Sequence, residues 1–145
     1  MFAELIRRLT APEPVQVPDE DARLALGALL VRIARSDGDY AQVERDSIRD
    51  ILSRRYGLSD ASALLAECEA LEAEAPDTVR FTRAIKDAVA YEDRLGVVRA
   101  MWEVVLADGK RDAHENQLMR MVPPMIGVED QDSNAARRAI EADQT

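Results

Sequence analysis

One pattern occurs twice in this chain, and it constrains the fold more than any other feature. Asp37-Gly38 is followed by Glu44, and Asp108-Gly109 is followed by Glu115. The separation is the same for both residues (108 − 37 and 115 − 44 both give 71). Apolar segments lead into both copies, residues 29–34 and 101–106, and apolar residues at helical spacing follow them. A helix–turn–helix unit with acidic residues in its turn has therefore been used twice. Its Gly38 and Gly109 are structural glycines, able to take the left-handed conformation that ends a helix.

The rest of the chain supports an all-α fold. No segment alternates apolar and polar residues with period two. The two Asp-Gly pairs lie between helical patterns rather than between β-branched runs, so they do not mark hairpins. At 145 residues, with 47% apolar and 32% charged residues, the composition is that of one globular domain with a single core. We expect about seven helices. Residues 1–18 form an N-terminal amphipathic helix (Phe2, Leu5, Ile6, Leu9) and a linker broken by Pro12, Pro14 and Pro18. Residues 19–145 form the helical domain.

Within that domain the first helix begins at Asp19 or Glu20 and runs to Arg35. It is apolar nearly all round through Leu24–Val31, as a central buried helix would be, and Gly27 allows a neighbour to approach closely. The second runs from Ala41 to Tyr56 and is stopped by Gly57. Ser59 is placed to cap the third, whose inner face is Leu64, Leu65, Cys68 and Leu71. Asp77 caps the fourth, with Phe81, Ala84, Ile85, Ala88 and Val89. The fifth starts near Glu92 and faces inward through Leu95, Val98, Met101, Trp102, Val105 and Leu106. The sixth carries Leu118, Met119 and Val122 and ends before Pro123-Pro124. The last, about residues 130–141, has Ile140 as its large apolar anchor.

Charge and counts exclude several classes of function. A net charge of −9 disfavours nucleic acid, whose phosphates call for a basic face. One cysteine and one histidine rule out an internal disulfide and zinc sites built from several such ligands. No apolar run approaches the roughly 18–20 residues that span a bilayer, and no secretory signal is visible. A cytoplasmic protein is expected. Residues 1–10, with Arg7 and Arg8 off the apolar stripe, either dock on the domain or make peripheral contact with a membrane or a partner.

Two readings of the acidic turns are open. In the first they only punctuate helices. Asp112 and Glu115 would form a capping box, the N-cap side chain and the N3 glutamate each bonding the other's backbone. In the first copy Ala41 has no side chain to cap with, so Asp39 and Gln42 are the available pair and Glu44 is left without capping duty. In the second reading Asp37, Asp39, Glu44, Asp108 and Glu115 hold a divalent cation. Carboxylate oxygens select hard ions such as Ca²⁺ or Mg²⁺. Asp37 and Asp108 lie at the negative end of the preceding helix, where a carboxylate is disfavoured. A cation would relieve that, as would Arg35, Arg45, Lys110 or Arg111. The spacing is not that of an EF-hand loop, because glycine already follows the first Asp.

An apolar helix, Asp-Gly, and Glu seven residues after the Asp, present twice, resembles the tellurite-resistance TerB-like family. The residues that carry the likeness are Arg35-Ser36-Asp37-Gly38 with Glu44 and Leu106-Ala107-Asp108-Gly109 with Glu115, followed by Gly57-Leu58 and Gly127-Val128. The resemblance covers about residues 20–128. It implies an all-α bacterial protein of tellurite and general stress resistance. It also implies a metal site at Asp37, Glu44, Asp108 and Glu115. Ser36 departs from the usual Ala, and Lys110 and Arg111 follow the second glycine directly, where their charge competes with a metal.

No enzymatic constellation is visible. His114 beside Glu115 reads as a surface residue at a helix start, and Cys68 as a packed thiol whose neighbours Glu67 and Glu69 oppose ionisation. There is no phosphate loop or nucleophile elbow, and no organic cofactor is expected. A cluster of Met101, Trp102, Met119, Met121 and Met125 reads as core, or as a groove for a partner helix. The expected function is a non-enzymatic stress-response module binding a cation through its turns. The alternative is a metal-free protein–protein interaction domain whose turns act only as caps. The oligomeric state is left open.

Overall fold

The structure is a computed structural model that describes residues 2, 5–6, 19–75, 77–107, 109 and 113–143. Seven helices are described: α1 (Asp19–Arg35), α2 (Gln42–Tyr56), α3 (Ser62–Glu74), α4 (Val79–Ala88), α5 (Tyr91–Val105), α6 (Ala113–Met125) and α7 (Asp130–Asp143). Among the described residues there is no strand. The fold is the all-α single domain that the sequence implies.

α1 is the centre of the domain. Ala25, Leu26, Ala28, Leu29, Leu30, Val31, Ile33 and Ala34 are all buried. That leaves room on α1 for α2, α3, α4, α5 and α6 to pack on different sides. Gly27 sets the spacing to α3, because a Cβ there would overlap Cys68 Sγ and lie 3.0 Å from Cys68 Cβ. α5 supplies the second apolar spine with Val97, Val98, Met101, Val104 and Val105. α7 packs on α5 through Ala136 and Ile140. Phe2 and Leu5 join the same core, which supports docking of the N-terminal residues on the domain. Arg7, Arg8 and Leu9 lie outside the described residues.

The duplication extends to the hydrogen bonds that end α1 and α5. Ser36 N–H donates to Ile33 O at 3.2 Å and Ala107 N–H to Val104 O at 3.2 Å. Gly38 N–H donates to Arg35 O at 3.0 Å and Gly109 N–H to Leu106 O at 3.2 Å. Gly38 and Gly109 have φ of 83° and 72°, where a side chain would be strained.

Four boundary or face expectations are corrected. α6 does not stop before Pro123-Pro124 but runs through them to Met125. The prolines sit in the last turn, where their own carbonyls are useful. Pro123 O accepts Val128 N–H at 2.9 Å and Pro124 O accepts Gly127 N–H at 3.0 Å, with Gly127 at φ 84°. This is the two-bond closure of a Schellman motif. Ser59 does not cap α3. Asp60 does that work, accepting Ser62 N–H at 2.9 Å and Ser62 O–H at 2.6 Å. Those bonds hold its carboxyl below the ordinary aspartate value. Leu95 is not on the inner face of α5 but is exposed, as is Tyr91, because the core covers only the C-terminal part of that helix. Met121 is exposed as well, while Met101, Trp102 and Met119 are core residues.

Candidate functional site

The acidic turns lie where α1 hands over to α2 and α5 to α6. In the first turn, Asp37 Oδ1 accepts Asp39 N–H at 2.8 Å, an Asx turn that folds the chain back on itself. Asp39 is exposed and Asp37 half-buried. The expected pairing of Asp39 with Gln42 is not formed. Gln42 Nε2 donates instead to Asp46 Oδ1 at 2.8 Å. Ala41 is the N-cap and Glu44 occupies N3. Glu44 therefore does have a capping duty, because its Oε1 accepts Ala41 N–H at 3.3 Å. Only the N3 half of a capping box is made, since Ala41 offers no acceptor.

Neither nearby arginine is spent on Asp37. Arg35 Nη1 donates to Glu72 Oε2 at 2.6 Å, and its guanidinium lies over the Tyr40 ring at 5.1 Å. Arg45 makes a two-bonded pair with Glu69, at 3.0 and 3.1 Å. Burial would raise the Glu69 carboxyl, but the bonds and charge of Arg45 outweigh it and hold it below the ordinary glutamate value. Burial, reinforced by the Glu69 carboxylate beside it, pushes the Tyr40 phenol up. Both cations are thus directed to α3 rather than to the turn.

In the second turn, Asp108, Lys110, Arg111 and Asp112 lie outside the described residues. Glu115 is described, in the first turn of α6. Its burial matches that of Glu44, each having 1% relative exposure. Two carboxylates at equivalent places in a repeated unit are thus withdrawn from water, a match that the sequence pattern alone did not reveal. Oxygen donors of this type suit a hard cation. Among the described residues, however, no three Asp, Glu, His or Cys side chains come together as a metal-holding group. Asp37, Asp39, Glu44 and Glu115 therefore do not make one without further ligands.

The remaining candidates are resolved by burial. Cys68 is fully buried, and burial, with Glu67 and Glu69 adding to it, pushes its thiol up to about 12. A thiol held so far from ionisation is a packing residue. His114 is exposed at the start of α6.

One polar constellation escaped the sequence reading. A cleft of about 400 Å³ lies among α5, α6 and α7, with Trp102, Asn116, Arg120, Ser133 and Arg137 in its walls. Trp102 Nε1 donates to Ser133 Oγ at 3.0 Å. Ser133, Arg137 and Ile140, at helical spacing, mark one face of α7, but nothing in the sequence ties that face to Trp102.

These features define a class: an all-α domain built on two helix–turn–helix units, each carrying an Asp-Gly turn followed by a buried glutamate. The family model described as tellurite resistance protein TerB matches residues 23–138. The chain belongs to the TerB family. Neither the curated proteins nor the solved structures compared with the chain gave a match. Among the described residues no helix is long and apolar enough to cross a membrane.

Proposed function

We propose that this TerB-family chain is a non-catalytic module of a tellurite-resistance-type stress response. Its two acidic turns take up a divalent cation, Ca²⁺ or Mg²⁺. The observation that carries this reading is the matched burial of Glu44 and Glu115 at 1% exposure each. Carboxylates held in place by packing at matching positions of a repeated unit are positioned to ligate a hard cation. Arg35 and Arg45, the two described cations nearest the first turn in sequence, are directed to Glu72 and Glu69 rather than to Asp37. In this reading Asp37, Glu44, Asp108 and Glu115 supply the oxygen donors, with Asp39 as a further candidate. The high thiol pKa of Cys68 supports the non-catalytic part of the reading.

A second reading rests on a specific observation. Glu44 bonds the N-terminus of its own helix at 3.3 Å, as a cap alone would. Glu44→Gln separates the two, because glutamine serves at N3 of a capping box as glutamate does but brings no charge to a cation. In protein stripped with a chelator, Ca²⁺ or Mg²⁺ is expected to raise Tm. Binding at a hundredfold over Kd is worth about 2.7 kcal/mol, or roughly 5–10 °C for a domain of this size. Glu44→Gln and Glu115→Gln should each abolish that rise. If neither ion at millimolar concentration moves Tm or releases heat in a titration, the turns are caps and the cation reading falls.

A further inference from the structure

We infer that the cleft among α5, α6 and α7 binds a small organic anion, with its carboxylate or phosphate head held by Arg120, Arg137 and Ser133. The inference is independent of the acidic turns, although Asn116 in the cleft wall directly follows Glu115.

The first argument is the donor set. Arg120, Arg137, Asn116, Asn134 and Ser133 all line the cleft. Asp130 is the only carboxylate among the lining residues, and it stands exposed at the start of α7. In a chain of net charge −9, two guanidinium groups facing one cleft run against the overall balance. Among the described residues the Arg120 guanidinium makes no ion pair and no hydrogen bond, and the buried Nε of Arg137 has no hydrogen-bond partner. The nearest carboxylate to Arg137, Glu141 Oε1, is 3.7 Å from its Nε, beyond hydrogen-bond length. The Arg137 guanidinium is instead held over the Trp102 ring at 5.7 Å. This fixes its place without using its donors.

The second argument is Ser133. It is 3% exposed and accepts the Trp102 indole N–H. Indole can only donate, so the bond consumes the serine oxygen as acceptor and leaves its hydroxyl proton to give. Among the described residues no acceptor takes that proton. A buried hydroxyl with an unspent proton calls for an acceptor. Ser133 also stands in the first turn of α7, where the helix dipole favours negative charge.

Size and lining define the rest of the ligand. About 400 Å³ lies within the range of small-molecule sites, roughly 300–1,000 Å³, and exceeds what a bare oxyanion fills. Met119 and Trp102, both in the walls, offer apolar surface to a short carbon skeleton.

Trp102 is the only tryptophan in the chain, so its fluorescence reports on this cleft alone. The full chain, in chelator and at constant ionic strength, is titrated with butyl phosphate, butyrate and inorganic phosphate. A saturable change is expected with butyl phosphate or butyrate, the tighter of the two naming the head group, and weaker binding of inorganic phosphate. Arg120→Gln alters an exposed, unpaired side chain and leaves the fold intact. It should weaken the apparent affinity by about tenfold or more, as loss of a charged hydrogen bond does, and Arg137→Gln should do the same. A response that does not saturate, or that sodium chloride reproduces, overturns the inference. So does wild-type affinity in Arg120→Gln. Inorganic phosphate binding as tightly as butyl phosphate overturns the organic ligand. Because chelator is present throughout, the outcome does not depend on whether the acidic turns bind a cation.

Discussion

Replacing Gly27 with alanine is expected to destabilise the domain by about 2 kcal/mol net, although alanine is the better helix former. Two effects oppose each other at this position. Alanine in a helix interior gains about 1 kcal/mol over glycine. Against it, the new methyl would overlap Cys68 Sγ and stand 3.0 Å from Cys68 Cβ, with Leu52 Cδ1 at 3.6 Å. Sγ could swing away, but Cβ is fixed to the backbone of α3, so the helices themselves must separate. Overpacking of this kind costs about 1–3 kcal/mol and sometimes more. Gly27 lies at the middle of the most buried helix, which puts the cost at the upper end. Tm should fall by roughly 4–8 °C. Cys68 supplies a second readout. In the native protein it is buried and its thiol is pushed up to about 12, so alkylation should be slow. In Gly27→Ala it should quicken. Adding Cys68→Ala removes the Sγ overlap but keeps Cβ, and should recover part of the loss. If Gly27→Ala is as stable as wild type, the close approach of α1 and α3 is not a constraint.

The same site explains what the sequence could convey. Gly27 in an otherwise apolar helix announced a close approach, and the all-round apolarity of α1 announced its central place, because both are local properties of one segment. Boundaries set by backbone hydrogen bonds were harder to read. Pro123-Pro124 read as a stop because proline lacks an N–H. Their carbonyls are still acceptors, and a Schellman closure uses them. Ala41 does not read as a cap because its side chain has no acceptor. Half a capping box needs only its backbone N–H, which Glu44 takes. The acidic turns were visible as a repeat, yet the burial of Glu44 and Glu115 depends on the helices packed over them. The Trp102–Ser133 bond joins residues 31 apart and forms only once α7 lies on α5.

Arg32→Ala is expected to cost about 2–4 kcal/mol, because Arg32 finishes a helix to which it does not belong. α3 has no basic residue in its last turn, and it ends in Glu72 and Glu74, where its dipole already favours positive charge. Arg32 supplies that charge from α1. Its Nη2 donates to Glu72 O at 3.0 Å and Ala75 O at 2.6 Å, and its Nε to Glu72 Oε1 at 3.3 Å. The guanidinium lies over the Phe81 ring at 5.2 Å. Truncating it leaves Ala75 O without this donor, Glu72 O with the Ala75 N–H at 3.3 Å, and the 11% exposed Glu72 carboxylate with Arg35 alone. Breaking a fully buried pair costs about 3–5 kcal/mol. Arg32 keeps 17% exposure, which lowers the figure. Arg32→Lys should lose an intermediate amount, since an ammonium keeps the charge but cannot span all three acceptors. A double-mutant cycle with Glu72→Gln measures the coupling, and a value near zero would mean that the contacts are incidental. The same carboxylate bears on the acidic turn. Glu72 holds Arg35 at 2.6 Å, two residues before Asp37. Glu72→Ala frees that guanidinium to lie against Asp37 in a cation's place. The Tm rise produced by Ca²⁺ or Mg²⁺ should then shrink, and an undiminished rise would place the ion away from the first turn.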